Sequence, residues 1–220
     1  MITPVEFKPK TIADFCGPAR KVAELLQKMI RQRAPQGIPM RVLLKGEAGT
    51  GKSSLAQWFV NQIAPDPFAV KFFNGTEVTM ERVSELIADL SYRPMGGGYR
   101  CIWIDEADGI PTTAHKRFLS YMDRLKNTKY SAIVITSNES LEQFEERFQT
   151  RFQPFEVEGP TFEELKAFLQ RFTSDAAKID QVARCACGVS SGAIKTVQFK
   201  TARANVRQAL DDLDTALLVA

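Results

Sequence analysis

The chain has 220 residues, of which 44% are hydrophobic and 25% charged, with a formal net charge of +3 at pH 7. These values are typical of a soluble globular protein, and the length allows one large domain or two small ones. No apolar run approaches the roughly 18 residues of a membrane span, and residues 1–10 have no apolar signal-peptide core, so we expect a cytoplasmic protein.

Strands and helices alternate in the predictions for residues 41–157. This alternation indicates a parallel sheet with helices on both faces, in which ligands bind beyond the carboxyl ends of the strands. The predicted strands are 41–44, 69–74, 100–105, 131–136 and 153–157, and the predicted helices are 53–63, 80–90 and 114–125.

The strands stop near Gly159, and the rest of the chain is predicted to be helical. Thr161 and Glu164 form a capping-box pattern at the start of the next helix. The predicted helices are 162–172, 175–187, 192–204 and 206–218. We therefore expect an α/β domain over residues 1–158 and a small all-helical domain over residues 159–220.

A glycine-rich loop lies between the first predicted strand and the helix that follows. It fits the pattern G-x-x-x-x-G-K-S/T, which binds phosphates in this context. Its backbone N–H groups can turn towards a polyphosphate, Lys52 can reach the β- and γ-phosphates, and Ser53 can bind Mg²⁺. The N-terminus of the next helix, whose first turn contains Ser54, adds a favourable partial charge. The loop residues are Gly46, Glu47, Ala48, Gly49, Thr50, Gly51, Lys52 and Ser53.

Acidic and amide side chains follow two later strands. Asp105 and Glu106 end the third strand, where Asp105 would hold Mg²⁺ and Glu106 would polarise the attacking water. Asn138 follows the fourth strand, which we place between the first and third, and could orient that water together with Glu106. The pattern predicts hydrolysis of a nucleoside triphosphate.

Two arginines, Arg147 and Arg151, lie shortly before the fifth strand. An arginine can stabilise charge on the transferring phosphoryl group, either in its own subunit or from a neighbour. The alternative is a surface arginine paired with Glu145 or Glu146, worth less than about 1 kcal/mol. Spacing alone leaves both possibilities open.

The motifs together resemble those of the AAA+ ATPases, and within that family the clamp-loader ATPase subunits of cellular and phage replication. The resemblance is carried by residues 7–17, 73–77, 97–108, 150–152 and 192–195. It implies an inter-subunit ATP site, a homo-oligomer and a helical lid over residues 159–220. We find no counterpart of the clamp-loader collar in this sequence, so we expect either that oligomerisation relies on the ATPase domains alone or that this is a related loader or mobile-element ATPase.

The same resemblance implies roles for single residues near the nucleotide. Phe15 and Cys16 would lie against the adenine base, and Asn74 would restrain Glu106 until a partner or DNA binds. Asn138 would be the first sensor of the γ-phosphate.

Two further roles depend on basic residues. Arg151 would reach the ATP of the adjacent subunit, with Arg147 as its substitute. Lys195 would be the second sensor in the lid, although lysine lacks the bidentate fork of the family's arginine.

Three functions are compatible with these motifs. The first is an ATP-driven switch acting on DNA and on a protein partner such as a clamp, helicase or recombinase. The second is a ring-forming protein remodeller, which the lack of an aromatic residue in residues 75–79 disfavours. The third is a nucleotide-binding adaptor without turnover. Basic residues available for DNA phosphates are Arg82, Arg93, Lys116, Arg117, Arg124, Lys126 and Lys129.

The four cysteines and the single histidine predict little chemistry of their own. Cys185 and Cys187 have no second Cys/His pair at metal-binding spacing, so we expect buried thiols rather than a zinc site. His115 is predicted to lie on a surface helix.

Overall fold

Strands β1 to β5 form one parallel sheet in the computed structural model, which describes residues 3–4, 6–122, 128–138, 150–188 and 203–218. The strand order is β2-β3-β4-β1-β5, and every pairing is parallel. The predicted α/β fold is therefore confirmed, and each predicted strand end lies within one residue of the observed one. The strands are β1 (Met40–Lys45), β2 (Val70–Asn74), β3 (Arg100–Asp105), β4 (Ser131–Ser137) and β5 (Gln153–Glu156).

Helices cover the sheet and continue after it. The helices are α1 (Gly17–Arg33), α2 (Lys52–Ile63), α3 (Met80–Asp89), α4 (Thr112–Met122), α5 (Phe162–Leu169), α6 (Ala176–Ala186) and α7 (Val206–Leu218). Most of the predicted helices are confirmed, with ends that differ by at most three residues. The end of the predicted helix 114–125 and most of the predicted helix 192–204 lie outside the described residues.

Helix α1 is absent from the sequence-based predictions. Its buried residues include Val22, Leu26, Met29 and Ile30, which recur at helical spacing, and Pro18 lies in its first turn. The periodic signal was therefore present, and a helix should have been predicted there.

Two hydrophobic cores lie on the two faces of the sheet. Helices α1 and α2 pack on one face, and α3 and α4 pack on the other. Strand β4 is buried along its whole length between β3 and β1, as a strand covered on both faces must be. The carboxyl ends of β1, β3 and β4 therefore meet at one edge, where the loop and the acidic residues emerge.

A third core joins the C-terminal helices to the start of the chain. Helices α5 to α7 form this core, and Phe7 and Cys16 pack into it. Thr161 caps α5, and Glu164 Oε2 accepts a hydrogen bond of 2.8 Å from the Thr161 N–H. The predicted capping box is confirmed, whereas the division at residue 158 stays a prediction.

The cysteines only partly follow the prediction. Cys16 and Cys101 are buried, but Cys185 is exposed and Cys187 is half-buried, because both lie near the end of the amphipathic helix α6. Within the described ranges, no group of three or more His, Cys, Asp and Glu side chains is placed to hold a metal ion. None of the helices seen there is both long and apolar enough to cross a membrane.

Candidate nucleotide-binding site

The glycine-rich loop leaves β1 and turns directly into α2. Gly46 has a φ of +150°, and a Cβ on this residue would lie 2.2 Å from the Val157 carbonyl oxygen. Only glycine therefore fits where the loop passes the end of β5. This close approach closes the loop into a turn over the carboxyl edge of the sheet.

Lys52, the first residue of α2, lies inside the loop. Its side chain is buried, and its Nζ donates hydrogen bonds to the carbonyl oxygens of Gly46 and Glu47 at 2.8 and 2.6 Å. Burial lowers the pKa of Lys52, while the negative charges of Asp105 and Asp108 act against that shift. The ammonium group is thus held where the motif predicts the β- and γ-phosphates.

Ser53, in the first turn of α2, contacts Asp105, the last residue of β3. The Ser53 hydroxyl lies 2.9 and 3.0 Å from the two carboxylate oxygens of Asp105. A hydroxyl and a carboxylate are the hard oxygen ligands that Mg²⁺ prefers, and they lie next to the predicted phosphate site. These two residues therefore fit a magnesium ion.

Thr136 connects the two acidic residues and was not predicted to belong to the site. It is 1% exposed on β4, and its hydroxyl donates to Asp105 Oδ1 at 2.5 Å and accepts from the Glu106 N–H at 3.0 Å. Glu106 has a φ of +54°, a left-handed conformation that costs a non-glycine residue roughly 1 kcal/mol. The hydrogen bond that the Glu106 N–H donates to Thr136 stabilises this conformation.

Asn74 contacts Glu106 from the end of β2. Its Nδ2 donates to Glu106 Oε2 at 3.2 Å. The amide orientation is fixed because Asn74 Oδ1 accepts from both the N–H and the hydroxyl of Thr76, at 3.2 and 2.9 Å. The structure thus brings the two residues together, with one carboxylate oxygen of Glu106 engaged.

Asn138 follows β4, and its N–H donates to Asp108 Oδ1 at 3.1 Å. A cavity of about 170 Å³ is lined by Asn138 together with Lys52, Ser53 and Glu106. The residues predicted for phosphate, metal and water therefore lie around one space.

Arg207 also lines this cavity and was missed by the sequence reasoning. It lies in the first turn of α7, beside Val206 and Leu210, which line the same space. A cation in the first turn opposes the helix dipole, which is a sequence signal that such a residue serves another purpose. The predicted sensor Lys195 lies outside the described residues.

Phe15 and Cys16 are buried beside the loop. They line an apolar cavity with Phe168, Ser54 and Leu210, adjoining the phosphate side of the site. Burial, aided by the nearby Glu164 carboxylate, raises the pKa of Cys16 to about 12, so this residue stays a neutral thiol. Apolar pockets with an aromatic wall are a usual environment of a nucleotide base, and the adenine contact of Phe15 and Cys16 stays a prediction.

Arg151 does not lie in the site of its own chain. It precedes β5 and lines a surface cavity with Arg33 and Arg41, at the amino ends of the strands. The glycine-rich loop lies at the opposite, carboxyl edge of the sheet. Arg147, the alternative, lies outside the described residues.

The basic residues predicted to contact DNA phosphates do not all lie on one surface. Arg82 and Lys116 are exposed on α3 and α4, and Arg117 of α4 donates to the Ser84 hydroxyl of α3 at 3.1 Å. Arg93, by contrast, stacks on the Tyr130 ring at 4.1 Å, and Lys129 is next to that tyrosine, at the amino ends of β3 and β4. Arg124 and Lys126 lie outside the described residues.

Known proteins include a distant relative of this chain. The chain is 27% identical over 138 residues to the replication factor C large subunit of Methanosarcina mazei, which is 61% of this chain but 22% of that protein. The chain thus spans about a fifth of that relative.

Solved structures show the same fold at low sequence identity. A mutant of the RuvB protein of Thermotoga maritima superposes with a TM-score of 0.70 at 17% identity, covering 97% of this chain and 68% of that one. The structure described as the RuvB Holliday junction branch migration motor gives a TM-score of 0.64, covering 94% and 72%. Residues 42–160, more than half of the chain, match the ATPase family associated with various cellular activities (AAA). The chain therefore belongs to the AAA family of ATPases.

Proposed function

We propose that this chain is a Mg²⁺-dependent ATPase whose hydrolysis site is built by residues of the glycine-rich loop, β3 and β4. One observation carries the proposal. Lys52, Ser53, Glu106 and Asn138 line one cavity at the carboxyl edge of the sheet, with Asp105 bonded to Ser53 beside it. Membership of the AAA family implies ATP hydrolysis; the assignment of these residues is our inference.

Each residue has a distinct task in this proposal. The ammonium group of Lys52 binds the β- and γ-phosphates, and Ser53 and Asp105 hold the metal ion. Bound Mg²⁺ supplies neutralisation of phosphate charge. Glu106 and Asn138 orient a water molecule, whose oxygen bonds to the γ-phosphorus as the bond to the bridging oxygen of ADP breaks. Glu106 takes the proton of that water, and ADP and inorganic phosphate leave.

Asn74 sets the activity of Glu106 in this scheme. The hydrogen bond from Asn74 engages one carboxylate oxygen of Glu106 and so keeps that oxygen from accepting from the water molecule. Contact with DNA or a protein partner near the end of β2 would break this hydrogen bond and release Glu106. Turnover is then coupled to the partner.

We further propose a homo-oligomer in which Arg151 of one subunit reaches the ATP of the next. The position of Arg151, at the opposite edge of the sheet from the loop, supports action in a neighbouring subunit. Arg207, which lines the cavity from the first turn of α7, is our candidate to sense the γ-phosphate from the lid, with the guanidinium fork that Lys195 lacks.

The proposed role of the oligomer is a clamp-loader-like switch on DNA in replication or mobile-element metabolism. The likeness to a replication factor C subunit supports this role. Arg82, Lys116 and Arg117 share the α3–α4 surface and can contact DNA phosphates without reading bases. Such binding weakens steeply with salt.

Two substitutions test the hydrolysis site. Lys52→Ala should raise the ATP dissociation constant at least roughly tenfold, because a phosphate-binding cation is lost. Glu106→Gln should bind ATP normally but hydrolyse it roughly 100-fold more slowly, because amide nitrogen and oxygen accept no proton. Calorimetry and phosphate release measure the two quantities.

The matched control is Glu81→Gln, the same exchange at an exposed position in the first turn of α3. It should leave the ATP dissociation constant and the hydrolysis rate unchanged. Normal hydrolysis by Glu106→Gln would show that another residue activates the water, and unchanged ATP affinity in Lys52→Ala would reject the phosphate site.

The DNA role is tested with the wild-type protein. Duplex DNA should raise the ATPase rate at low salt, and the stimulation should fade as salt increases. A rate that is indifferent to DNA throughout the salt series would shift the function to protein remodelling.

A further inference from the structure

The first turn of α7 is docked on the glycine-rich loop. The N–H groups of Val206 and Arg207 both point at the Gly49 carbonyl oxygen, at 3.0 and 3.4 Å. Asn205 precedes the helix, and its Oδ1 accepts from the Gln208 N–H at 3.1 Å. Asn205 is therefore the N-cap that orders the turn in contact with the loop.

The contact between Asn205 and Gly49 is tight. Gly49 has a φ of +79°, and a Cβ there would lie 1.9 Å from Asn205 Oδ1. The backbone conformation therefore favours glycine at this point of the loop, and the Asn205 side chain fills the space that a Cβ would occupy.

The docking determines which way one loop peptide faces. In a trans peptide the C=O and the following N–H point to opposite sides, and the described residues contain no cis peptide bond. Because α7 holds the Gly49 carbonyl, the Thr50 N–H points away from α7. The carbonyls of Gly46 and Glu47 also have donors, from Lys52 and Thr50. A loop whose carbonyls are engaged presents its N–H groups to an anion.

Asn205 is also tied to the other C-terminal helices. Its N–H donates to the Ala186 carbonyl at the end of α6, at 3.1 Å, and the preceding Ala204 N–H donates to the Pro160 carbonyl at 2.9 Å. The segment that touches the loop is thus linked both to α6 and to the segment between β5 and α5. A movement of these helices would move the partner of the Gly49 carbonyl.

We propose that Asn205 is a positioning residue for nucleotide binding, which caps α7 and so holds it on the Gly49 carbonyl. This contact fixes the Gly49–Thr50 peptide for phosphate and couples the position of α5 to α7 to the affinity of the loop. The inference rests on the proposed function in that the loop is taken to bind the phosphates of ATP.

The test compares the loss of two helix caps. Asn205→Ala removes the cap that touches the loop. Asp175→Ala removes the cap of α6, whose Oδ1 accepts from the N–H groups of Ala177 and Lys178 at 3.0 and 3.2 Å. Cap loss destabilises both variants, so their melting temperatures should both fall by a few degrees.

Affinity should separate the two variants. The ATP dissociation constant should rise roughly tenfold in Asn205→Ala and stay within about twofold of wild type in Asp175→Ala and in Asn205→Ser, because serine also caps helices. Lys52→Ala, measured alongside, tests the phosphate site itself. Loss of binding in Lys52→Ala with unchanged affinity in Asn205→Ala would overturn the inference and leave the proposed function standing.

A second measurement needs no variant. If the docking and ATP binding favour each other, saturating ATP should slow hydrogen exchange of the Val206 and Arg207 amides in the wild-type protein. Unchanged exchange at these amides while ATP is bound would overturn the inference, whatever the stability of the variants.

Discussion

Hydrogen bonds, and not burial alone, orient individual side chains in the site. Thr136 is the clearest case, because one hydroxyl serves both Asp105 and Glu106. Its donated hydrogen bond fixes the proposed metal ligand, and its accepted one supports the left-handed backbone of the proposed base. Removing this hydroxyl would leave Asp105 and the Glu106 N–H without that partner.

We predict that Thr136→Val, which keeps the shape but removes the hydroxyl, lowers the maximal ATPase rate at least roughly tenfold and costs about 1–3 kcal/mol of stability. Half-maximal activity should also need more Mg²⁺. Thr136→Ser should behave like wild type. Magnesium titrations of the rate and urea unfolding measure these effects, and a Val variant with wild-type rate and Mg²⁺ response would refute this role.

The sequence predicts residues that are close together in the chain better than it predicts those brought together by the sheet. Lys52 and Ser53 follow from one continuous pattern, and Asp105 from the end of an apolar strand. Thr136 acts across the pairing of β3 with β4, and Arg207 across the docking of α7. No local pattern specifies the contacts of Thr136, and the cation in the first turn of α7 marks Arg207 as unusual without indicating what it contacts.

The N-terminal segment, residues 6–16, precedes α1 and contacts α5 and the residues just after it. Arg171, just after α5, donates to Asp14 Oδ1 at 2.6 Å and to the Ala13 carbonyl at 3.2 Å. The Phe7 ring packs edge-on against Phe168 and Phe172, with centroids 5.8 and 5.2 Å apart. The segment that carries Phe15 and Cys16 therefore depends on an ion pair and an aromatic cluster.

Acid should weaken this connection. Burial acts to raise the pKa of Asp14, but hydrogen bonds from Arg171 and from the Thr11 and Lys10 N–H groups outweigh it and hold the pKa well below its ordinary range. A lowered pKa means that the unfolded state binds more protons in acid, so the stabilisation is present at neutral pH and is lost as pH falls below about 4.

We therefore predict that Asp14→Asn lowers stability at pH 7 and reduces the loss of stability between about pH 4 and 2. Urea unfolding at several pH values measures both effects. Asp211→Asn, at an exposed aspartate of α7, serves as the matched control, since it should cost little at pH 7. An acid dependence that is the same in Asp14→Asn and wild type would contradict the assignment.

The sheet as a unit was predictable because its inner strands, β1, β3 and β4, contain continuous apolar runs, as in buried parallel sheets. Helix α1 was missed although its pattern is regular. The arrangement of subunits was not predictable, because one chain contains only half of each interface. What the structure contributes is the position of Arg151, at the amino edge of the sheet and away from the loop of its own chain.

Mixed oligomers give the most direct measurement. Arg151→Ala should bind ATP but lose at least roughly tenfold in turnover, and Lys52→Ala should bind ATP poorly. Mixing the two should restore turnover, since the Lys52→Ala subunit supplies the arginine to a neighbour that holds ATP. Arg31→Ala, an exposed arginine of α1, should keep wild-type turnover alone. A mixture no more active than the sum of its two parts would contradict an ATP site shared between subunits.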